Sequence, residues 1–555
     1  MSRRFDYRAR TVISAAALCL AVTATRFGLA GAPVPRPLYV FAGFGAAATL
    51  LLAAVLTGDL TRGDRWAVIL VALTAGAFVR LSGFISVVTS GIDHYLWMRR
   101  VEAIVATGSI PGGDMYSTAA AYFVFQALGR ELLALQPFGS RFLVIFVASI
   151  TPLVVFCVST ALYDDVRVAL ASVVVASAHF LLFRTSALLE PESLAIFVFC
   201  SVVFLLGKYI QGGDRRFLVL LGVLGCATVF IHFMYALVIA GTAVGVVTVV
   251  TAYHEVERPD GFPNLAAALK ATVATFVAAV AVILTSRGRR LAVAIFGSGF
   301  DNSTDSGVSS GYTDRNAGGG SGSTGGGSAE GSGNLPKFLP ENDVVGRSIG
   351  AGSWGGPVGM LLTFSPMAVL GVFGGLGAVL SALRRRKGDV VLLALAVTVV
   401  GPTVLLVSLD LMFNIGYRLY YFVGVVLALF AAVLLAEVGR REFDRNRSVT
   451  VVVLTLFLCF SVVGPMSPLG NNVDPRFGGT DWRFTEAEVE QLQSFDRALT
   501  GDEYVTHAVP QVAPGLAVKS TGRDLILTRS GCWNASKIAA GGSLSVCLRE
   551  NSTAS

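Results

Sequence analysis

Residues 140–161 read SRFLVIFVASITPLVVFCVSTA, with Arg141 as the one charged side chain. A helix that spans a membrane needs about 20 predominantly apolar residues, because the hydrocarbon core is about 30 Å thick and a helix rises about 1.5 Å per residue. This run has the length and the composition of such a helix. Runs of the same kind recur along most of the chain, and they decide its fold class.

The composition of the whole chain agrees with this interpretation. Its 555 residues are 54% hydrophobic and 14% charged, with a mean hydropathy of +0.68, whereas an average soluble domain carries about 25% charged residues. The net charge is +7, but the Lys and Arg residues lie in short clusters between apolar runs, which is typical of topology signals. We therefore expect membrane lipid, and no nucleic acid, among the partners of the chain.

The apolar runs predict an all-α polytopic membrane protein with about thirteen transmembrane helices. The boundaries between neighbouring spans are least distinct within residues 167–252. The predicted spans are residues 11–31, 37–57, 66–89, 140–161, 167–185, 190–208, 217–233, 234–252, 266–285, 354–382, 390–409, 418–437 and 449–467.

The basic clusters predict the orientation of these spans, because Lys and Arg are retained on the cytoplasmic side. With a cytoplasmic N-terminus, every second loop is basic, and an odd number of spans places the C-terminus outside a plasma membrane. The first apolar run is also consistent with a cleaved signal peptide, since basic residues precede it and GLAGA (residues 28–32) follows. The basic clusters are Arg3, Arg4, Arg8 and Arg10; Arg62 and Arg65; Arg167; Lys208, Arg215 and Arg216; Arg384 to Lys387; and Arg440, Arg441, Arg445 and Arg447.

The same pattern divides the chain into three parts. Residues 1–65 form N-terminal spans, residues 66–467 a transmembrane core, and residues 468–555 a small external domain. The core has long external loops at 90–139 and 286–353. Within the second loop, residues 301–333 are so rich in Gly and Ser that we expect them to be disordered.

The external tail has the features of a small α+β region. Turn residues alternate with short apolar runs, and the stretch from Thr485 to Leu499 is amphipathic. Cys532 and Cys547 would close a loop of about 15 residues in an oxidising compartment, so a disulfide between them is expected to stabilise the tail by about 3 kcal/mol.

No familiar soluble-enzyme motif is present in the sequence. It contains no Walker A loop, no HExxH helix and no CxxC pair. Polar residues instead gather at the predicted outer ends of the spans, where they are costly unless paired or functional. Asp93, followed by His94, emerges directly from the third span, and its carboxylate suits a general base, a metal ligand, or a helix cap paired with Arg99 or Arg100.

Further polar residues are predicted at the same level. Arg184, Glu190 and Glu192 share a short hairpin, where the two acids suit either chemistry or the capping of the helix that Pro191 begins. His232 marks the next external turn and suits a hydroxyl or a phosphate, although a lone His at a helix end is more often structural. Arg418 begins a late span among tyrosines and suits a phosphate, or an aromatic belt.

This arrangement resembles the GT-C class of membrane glycosyltransferases over about residues 66–440. The likeness is carried by GIDHY at 91–95, by Pro111 and Asp114-Met-Tyr116 before an amphipathic stretch, by the hairpin at 184–192, and by RLYYF at 418–422. These elements resemble the branch of dolichyl-phosphate-mannose protein mannosyltransferases and aminoarabinose transferases. The chain departs from that branch in its two extra N-terminal spans, in His94 where Glu is frequent, in its Gly-rich late loop, and in lacking the WWDxG signature of oligosaccharyltransferases.

The resemblance implies roles for individual residues. Asp93, Glu190 and Glu192 would be catalytic, with Asp93 as base or acceptor-orienting carboxylate. The substrate would be bound by His94, Asp114, Arg184, His232, Arg418 and Tyr421, with Arg418 at the lipid phosphate. No cofactor is identified from these residues, and a divalent metal is the open alternative.

The expected function is therefore inverting transfer of a sugar from a polyprenyl-phosphate donor, such as dolichyl phosphate, to a cell-surface glycan, lipid or protein acceptor at the external face. Two alternatives stay open from the sequence. A transporter or flippase of lipid-linked sugars would use the same ionisable residues along a translocation path, with internal repeats and broken helices. A non-enzymatic scaffold would leave the clustered acids without a role.

Overall fold

A computed structural model describes the parts of the chain on which the following account rests. They are residues 2–28, 38–57, 60–84, 92–110, 120–135, 139–180, 182, 189, 191–212, 214–231, 233–257, 357–408, 413–441, 447–466, 504–506, 515–520, 523–528, 536–541 and 544–549.

The helices of these parts follow the apolar runs closely. In chain order they are α1 (Ser2–Gly28), α2 (Leu38–Leu56), α3 (Arg62–Leu81), α4 (Ile92–Thr107), α5 (Ala120–Leu132), α6 (Arg141–Leu162), α7 (Val166–Ala178), α8 (Glu192–Gly212), α9 (Arg215–Ile231), α10 (Phe233–Glu257), α11 (Pro357–Arg384), α12 (Lys387–Ser408), α13 (Phe413–Arg441) and α14 (Arg447–Met466).

The chain is thus a mostly helical, multi-pass membrane protein. Among the described residues, seven helices are long and apolar enough to cross a membrane: Ala9–Gly28, Tyr39–Leu56, Arg62–Phe84, Arg141–Leu162, Glu192–Gly212, Ser365–Arg384 and Leu419–Arg440. Three shorter apolar helices accompany them, at Val166–Ala178, Val238–His254 and Val449–Gly464. Helices coincide with every predicted span except 266–285, which lies outside the described residues, as does 301–333. The total of thirteen spans stays a prediction.

One predicted span is interrupted in the structure. The apolar run predicts helix to residue 185, but α7 ends at Ala178, and Phe180 and Leu182 are helical again beyond the break. His179 leaves the helix with ψ 117°, and its ring stacks on Phe180 at 5.3 Å and meets the edge of Phe460 at 5.8 Å. Ring packing against α14 accompanies this break in the helix at His179.

Helix α13 lies at the centre of the bundle and contacts α11, α12 and α7. Most residues of α13 between Tyr421 and Ala436 are buried. Around it, α6 packs on α7 and α8, and α2 is flanked by α1 and α14. The α11–α13 contact is close because Gly377 faces the backbone of Phe430, and a Cβ atom at Gly377 would overlap that carbonyl.

Charged side chains from several helices pair at one end of the bundle, which we call the basic end. There Arg384 of α11 pairs with Glu437 of α13, and Arg440 pairs with Asp165 at the start of α7. The pairs bring the α6–α7 turn, the end of α11 and the end of α13 to one level. The basic side chains of this end are the ones expected on the cytoplasmic side.

A hydrogen bond between a tyrosine and a buried aspartate also lies at the basic end. The hydroxyl of Tyr163, after α6, donates to Oδ1 of Asp389 in α12 at 3.1 Å, and the backbone N–H of Arg386 donates to Oδ2 at 3.2 Å. Asp389 is fully buried. Burial, and then the Asp389 carboxylate, raise the pKa of Tyr163 well above 10.

The tail contributes a five-stranded antiparallel sheet in the order β1-β2-β3-β5-β4. Its strands are β1 (Tyr504–Thr506), β2 (Gly515–Ser520), β3 (Arg523–Thr528), β4 (Ser536–Gly541) and β5 (Leu544–Arg549). Cys547 lies in β5, opposite Ile526 of β3 and Lys537 of β4. Cys532 and the amphipathic stretch 485–499 lie outside the described residues, so the disulfide and the helical part of this region stay predictions.

Candidate functional site

Three helices begin together at the end of the bundle opposite the basic end. They are α8, α10 and α13, and a carboxylate lies at their meeting point. Oε1 of Glu192, on the first turn of α8, accepts a hydrogen bond of 2.6 Å from the hydroxyl of Tyr235 of α10. Only 6% of Glu192 is exposed. A carboxylate buried in this way is costly unless its oxygens are hydrogen-bonded.

Aromatic rings connect this pair to α13. The ring of Phe422 lies 5.4 Å from that of Tyr235 and 4.9 Å from that of Phe199, which belongs to α8. Offset and edge contacts at these distances stabilise aromatic pairs. Position 418, where the sequence has Arg, is one helical turn before Phe422. The Glu192 site and the predicted phosphate-binding position thus lie on adjoining helix starts.

Helices α4 and α5, which lie in the first loop predicted to be external, are joined to the same end of the bundle. The hydroxyl of Tyr122, in α5, donates to the carbonyl oxygen of Leu189, three residues before Glu192. Leu189 is fully buried and has a φ of 57°, the left-handed region that non-glycine residues rarely adopt. The chain therefore makes a tight, strained turn directly before the carboxylate, and Tyr122 holds it there.

Helix α4 contains both position 93 and a residue that contacts Tyr122. The indole of Trp97 meets the edge of the Tyr122 ring at 6.1 Å, and position 93 is one helical turn before Trp97. Helices α4 and α5 are joined further by the ion pair of Glu102 with Arg130 and by Arg100, whose guanidinium lies 5.7 Å from the centre of the Phe123 ring. A continuous set of contacts therefore runs from α4 to the start of α8.

The structure describes some of the predicted site residues and not others. Glu192 lies at the site described above. Tyr421 is buried in α13, with 2% of its surface exposed. The backbone positions of Asp93 and His94 in α4 and of Arg418 in α13 are described. Asp114, Arg184, Glu190 and His232 lie outside the described residues. The roles given to all of these residues stay predictions.

Sequence reasoning missed the tyrosines that hold the site together. Tyr235 follows His232 in FIHFMY, and Tyr122 lies in an amphipathic helix; neither stands out among the aromatic residues near the ends of the spans. Each tyrosine hydrogen-bonds to a residue that is distant along the chain, and no local sequence pattern indicates such a contact. Phe422 was part of the RLYYF motif at 418–422 but had no role assigned to it.

The residues predicted to bind a divalent metal lie mainly outside the Glu192 site. Within the described ranges, no group of three or more His, Cys, Asp or Glu side chains is arranged to hold a metal ion. The side chains of Asp93 and His94, and all of Asp114 and Glu190, are not among those ranges. A divalent metal at these residues is therefore still a prediction.

The chain matches known proteins only among solved structures. No family model matches the chain, and no curated protein matches it. Among solved structures, it is similar to the Archaeoglobus fulgidus oligosaccharyltransferase in the apo form, with 14% identity over 80% of this chain and 59% of that one and a TM-score of 0.47. The same enzyme in complex with Zn and sulfate gives 12% identity, 78% and 56% coverage and a TM-score of 0.44. Both scores are below 0.5, so the likeness does not establish a shared fold, and the chain spans about three fifths of that enzyme's length.

Proposed function

We propose that the chain is a GT-C-type membrane glycosyltransferase. It moves a sugar from a polyprenyl-phosphate donor, such as dolichyl phosphate, to a cell-surface glycan, lipid or protein acceptor at the external face of the plasma membrane. The observation that carries the proposal is the buried Glu192 carboxylate, held by Tyr235 at 2.6 Å where three helices begin. The protein mannosyltransferase and aminoarabinose transferase branch is the proposed relative.

Two further features of this end support the proposal. The contacts from Trp97 through Tyr122 to Leu189 tie α4, which carries Asp93, to the start of α8. The Phe422 contacts tie α13, which carries Arg418, to the same place. A base, a second carboxylate and a phosphate-binding cation are the groups that this transfer needs, and these contacts support the proposal that they act together at one end of the bundle.

The proposed reaction is a direct displacement. The acceptor oxygen forms a bond to the anomeric carbon as the bond from that carbon to the phosphate oxygen breaks, which inverts the configuration. The proton of the acceptor hydroxyl passes to the carboxylate of Asp93, and the lipid phosphate leaves as an anion beside Arg418. Positioning and charge stabilisation supply most of the acceleration in such a step. Glu190 and Glu192, with Arg184 and His232, shape the sugar pocket.

The end of the bundle that carries the site is proposed to be external. The opposite end concentrates Arg384, Arg386 and Arg440 near one level, and basic residues are retained on the cytoplasmic side. This orientation places the N-terminus in the cytoplasm and the tail outside. A donor carried in the outer leaflet then reaches the site without crossing the membrane.

The test is transfer of radiolabelled sugar from polyprenyl-phosphate donors to endogenous acceptors in membranes that contain the wild type or Asp93→Asn at matched expression. We expect donor-dependent labelling with the wild type and its loss in the variant. Full activity of Asp93→Asn would remove Asp93 as the base. No labelling with any donor would favour the flippase alternative.

A further inference from the structure

Helix α5 exposes large apolar side chains along its C-terminal half. Leu128, Leu132 and the following Leu133 are exposed over 57%, 82% and 59% of their surface. The helix is 13 residues long, and at about 1.5 Å per residue it is too short to cross a membrane. The sequence predicts an external loop at 90–139, where water would meet these leucines. A contiguous apolar surface of this kind marks contact with a protein or a membrane.

The exposed leucines belong to one face of α5, and its other face packs on α4, α6 and α9. Val124, Leu128 and Leu132 recur every fourth residue and therefore lie one above the other on the helix; we call them the α5 stripe. No charged side chain interrupts the stripe, and Arg130 is turned towards α4 by its ion pair with Glu102. The buried residues of the opposite face are Tyr122, Phe123, Gln126 and Ala127.

Helix α5 lies beside the start of a helix that can cross a membrane. Gly129 faces α6 so closely that a Cβ atom at this position would overlap Cδ1 of Leu143. Helix α6 begins at Arg141 and is long and apolar enough to span the bilayer. Phe142 and Phe146, on its first two turns, are exposed over 42% and 62% of their surface. In a spanning helix such side chains meet lipid, so α5 is placed at the boundary where α6 enters the membrane.

We propose that α5 is an interfacial helix and that the α5 stripe is inserted into the membrane leaflet on the side of the Glu192 site. A helix of this kind buries its apolar face about 5–10 Å into the boundary between headgroups and acyl chains. Lipid is the occupant because the stripe adjoins the exposed phenylalanines of α6, which bilayer lipid already has to cover. The pair α4–α5 is then seated in the membrane surface instead of projecting into water. This inference does not depend on sugar transfer.

The same helix is joined to the Glu192 site. The hydroxyl of Tyr122 donates to the carbonyl oxygen of Leu189, three residues before Glu192. Tyr122 lies on the packed face of α5, so lipid on one face and the bundle on the other fix the helix from both sides. Membrane contact at the α5 stripe therefore also holds the turn that precedes the carboxylate.

The test introduces one fluorescent amino acid by stop-codon suppression in the full chain, reconstituted in phosphatidylcholine vesicles. The fluorophore replaces Leu132, at the most exposed position of the stripe. Two reference positions calibrate the signal: Phe146, on the exposed side of α6, and Gln211, which is exposed near the end of α8. Phosphatidylcholine with brominated acyl chains quenches from the lipid, and iodide, present on both sides of the membrane, quenches from water.

We expect brominated lipid to quench the fluorophore at 132 as strongly as at 146 and several-fold more than at 211, and iodide to act in the reverse order. Quenching at 132 by iodide and not by brominated lipid would overturn the proposal, because α5 would then lie in water. Quenching by neither would overturn it as well, because a second copy or another part of this chain would then cover the stripe. If replacement of Leu132 prevents folding, the same measurement at Leu128 decides.

Discussion

Removing one hydroxyl tests whether the Glu192 carboxylate needs its hydrogen bond for activity. In Tyr235→Phe the ring contact with Phe422 at 5.4 Å is kept, while the 2.6 Å bond to Oε1 of Glu192 is lost. A hydrogen bond to a charged group contributes about 1.5–3 kcal/mol. Because 1.4 kcal/mol corresponds to about a factor of ten in rate, we expect sugar transfer to fall by about tenfold or more if all of that stabilisation acts on the reacting geometry.

The structure supplies a matched control at the other end of the bundle. The hydroxyl of Tyr163 donates to the buried carboxylate of Asp389 at 3.1 Å. Tyr163→Phe removes the same kind of bond, so we expect a similar loss of thermal stability in detergent but an unchanged transfer rate per folded molecule. The measurement is kcat and KM for transfer from one purified donor, beside melting curves of both variants. Equal rates for Tyr235→Phe and Tyr163→Phe would refute a role for Tyr235 beyond stability.

Three further predictions concern the rest of the fold. Gly377→Val should destabilise the bundle by about 3 kcal/mol or more and lower the yield of folded protein in size-exclusion chromatography, because its side chain overlaps the Phe430 carbonyl. Arg440→Gln should change the melting temperature little, because Arg440 is partly exposed and such ion pairs contribute about 1 kcal/mol or less; a loss of several kcal/mol would contradict this. Since the pKa of Tyr163 is raised above 10, its stabilising effect is fully present below pH 10 and is lost as pH rises through the higher folded-state pKa; the wild type should therefore lose its advantage over Tyr163→Phe in melting curves above pH 10.

Much of the helical architecture was predictable because the length of an apolar run is a local property. The run at 140–161 became α6, Arg141–Leu162, almost to the residue. The break at His179 within the span 167–185 was not predicted, because it accompanies packing on Phe460 of α14, and a contact between distant helices leaves no trace in the local sequence.

The site was predictable only where charge stood out against an apolar background. Glu192 was identified because it is a charged residue, next to Pro191, at the boundary between two apolar runs. Its partner Tyr235 is 43 residues away along the chain, and one tyrosine among many aromatic residues near the membrane surface carries no distinctive pattern.

The central claim is that a sugar is transferred chemically at the end of the bundle that carries Glu192. The most direct measurement uses the purified chain in liposomes with a single polyprenyl-phosphate-linked sugar, and counts both the polyprenyl phosphate released and the sugar attached to acceptor. We expect the two products in equal amounts with the wild type, and neither with Asp93→Asn or Glu192→Gln. Movement of intact donor between leaflets without release of polyprenyl phosphate would contradict the claim.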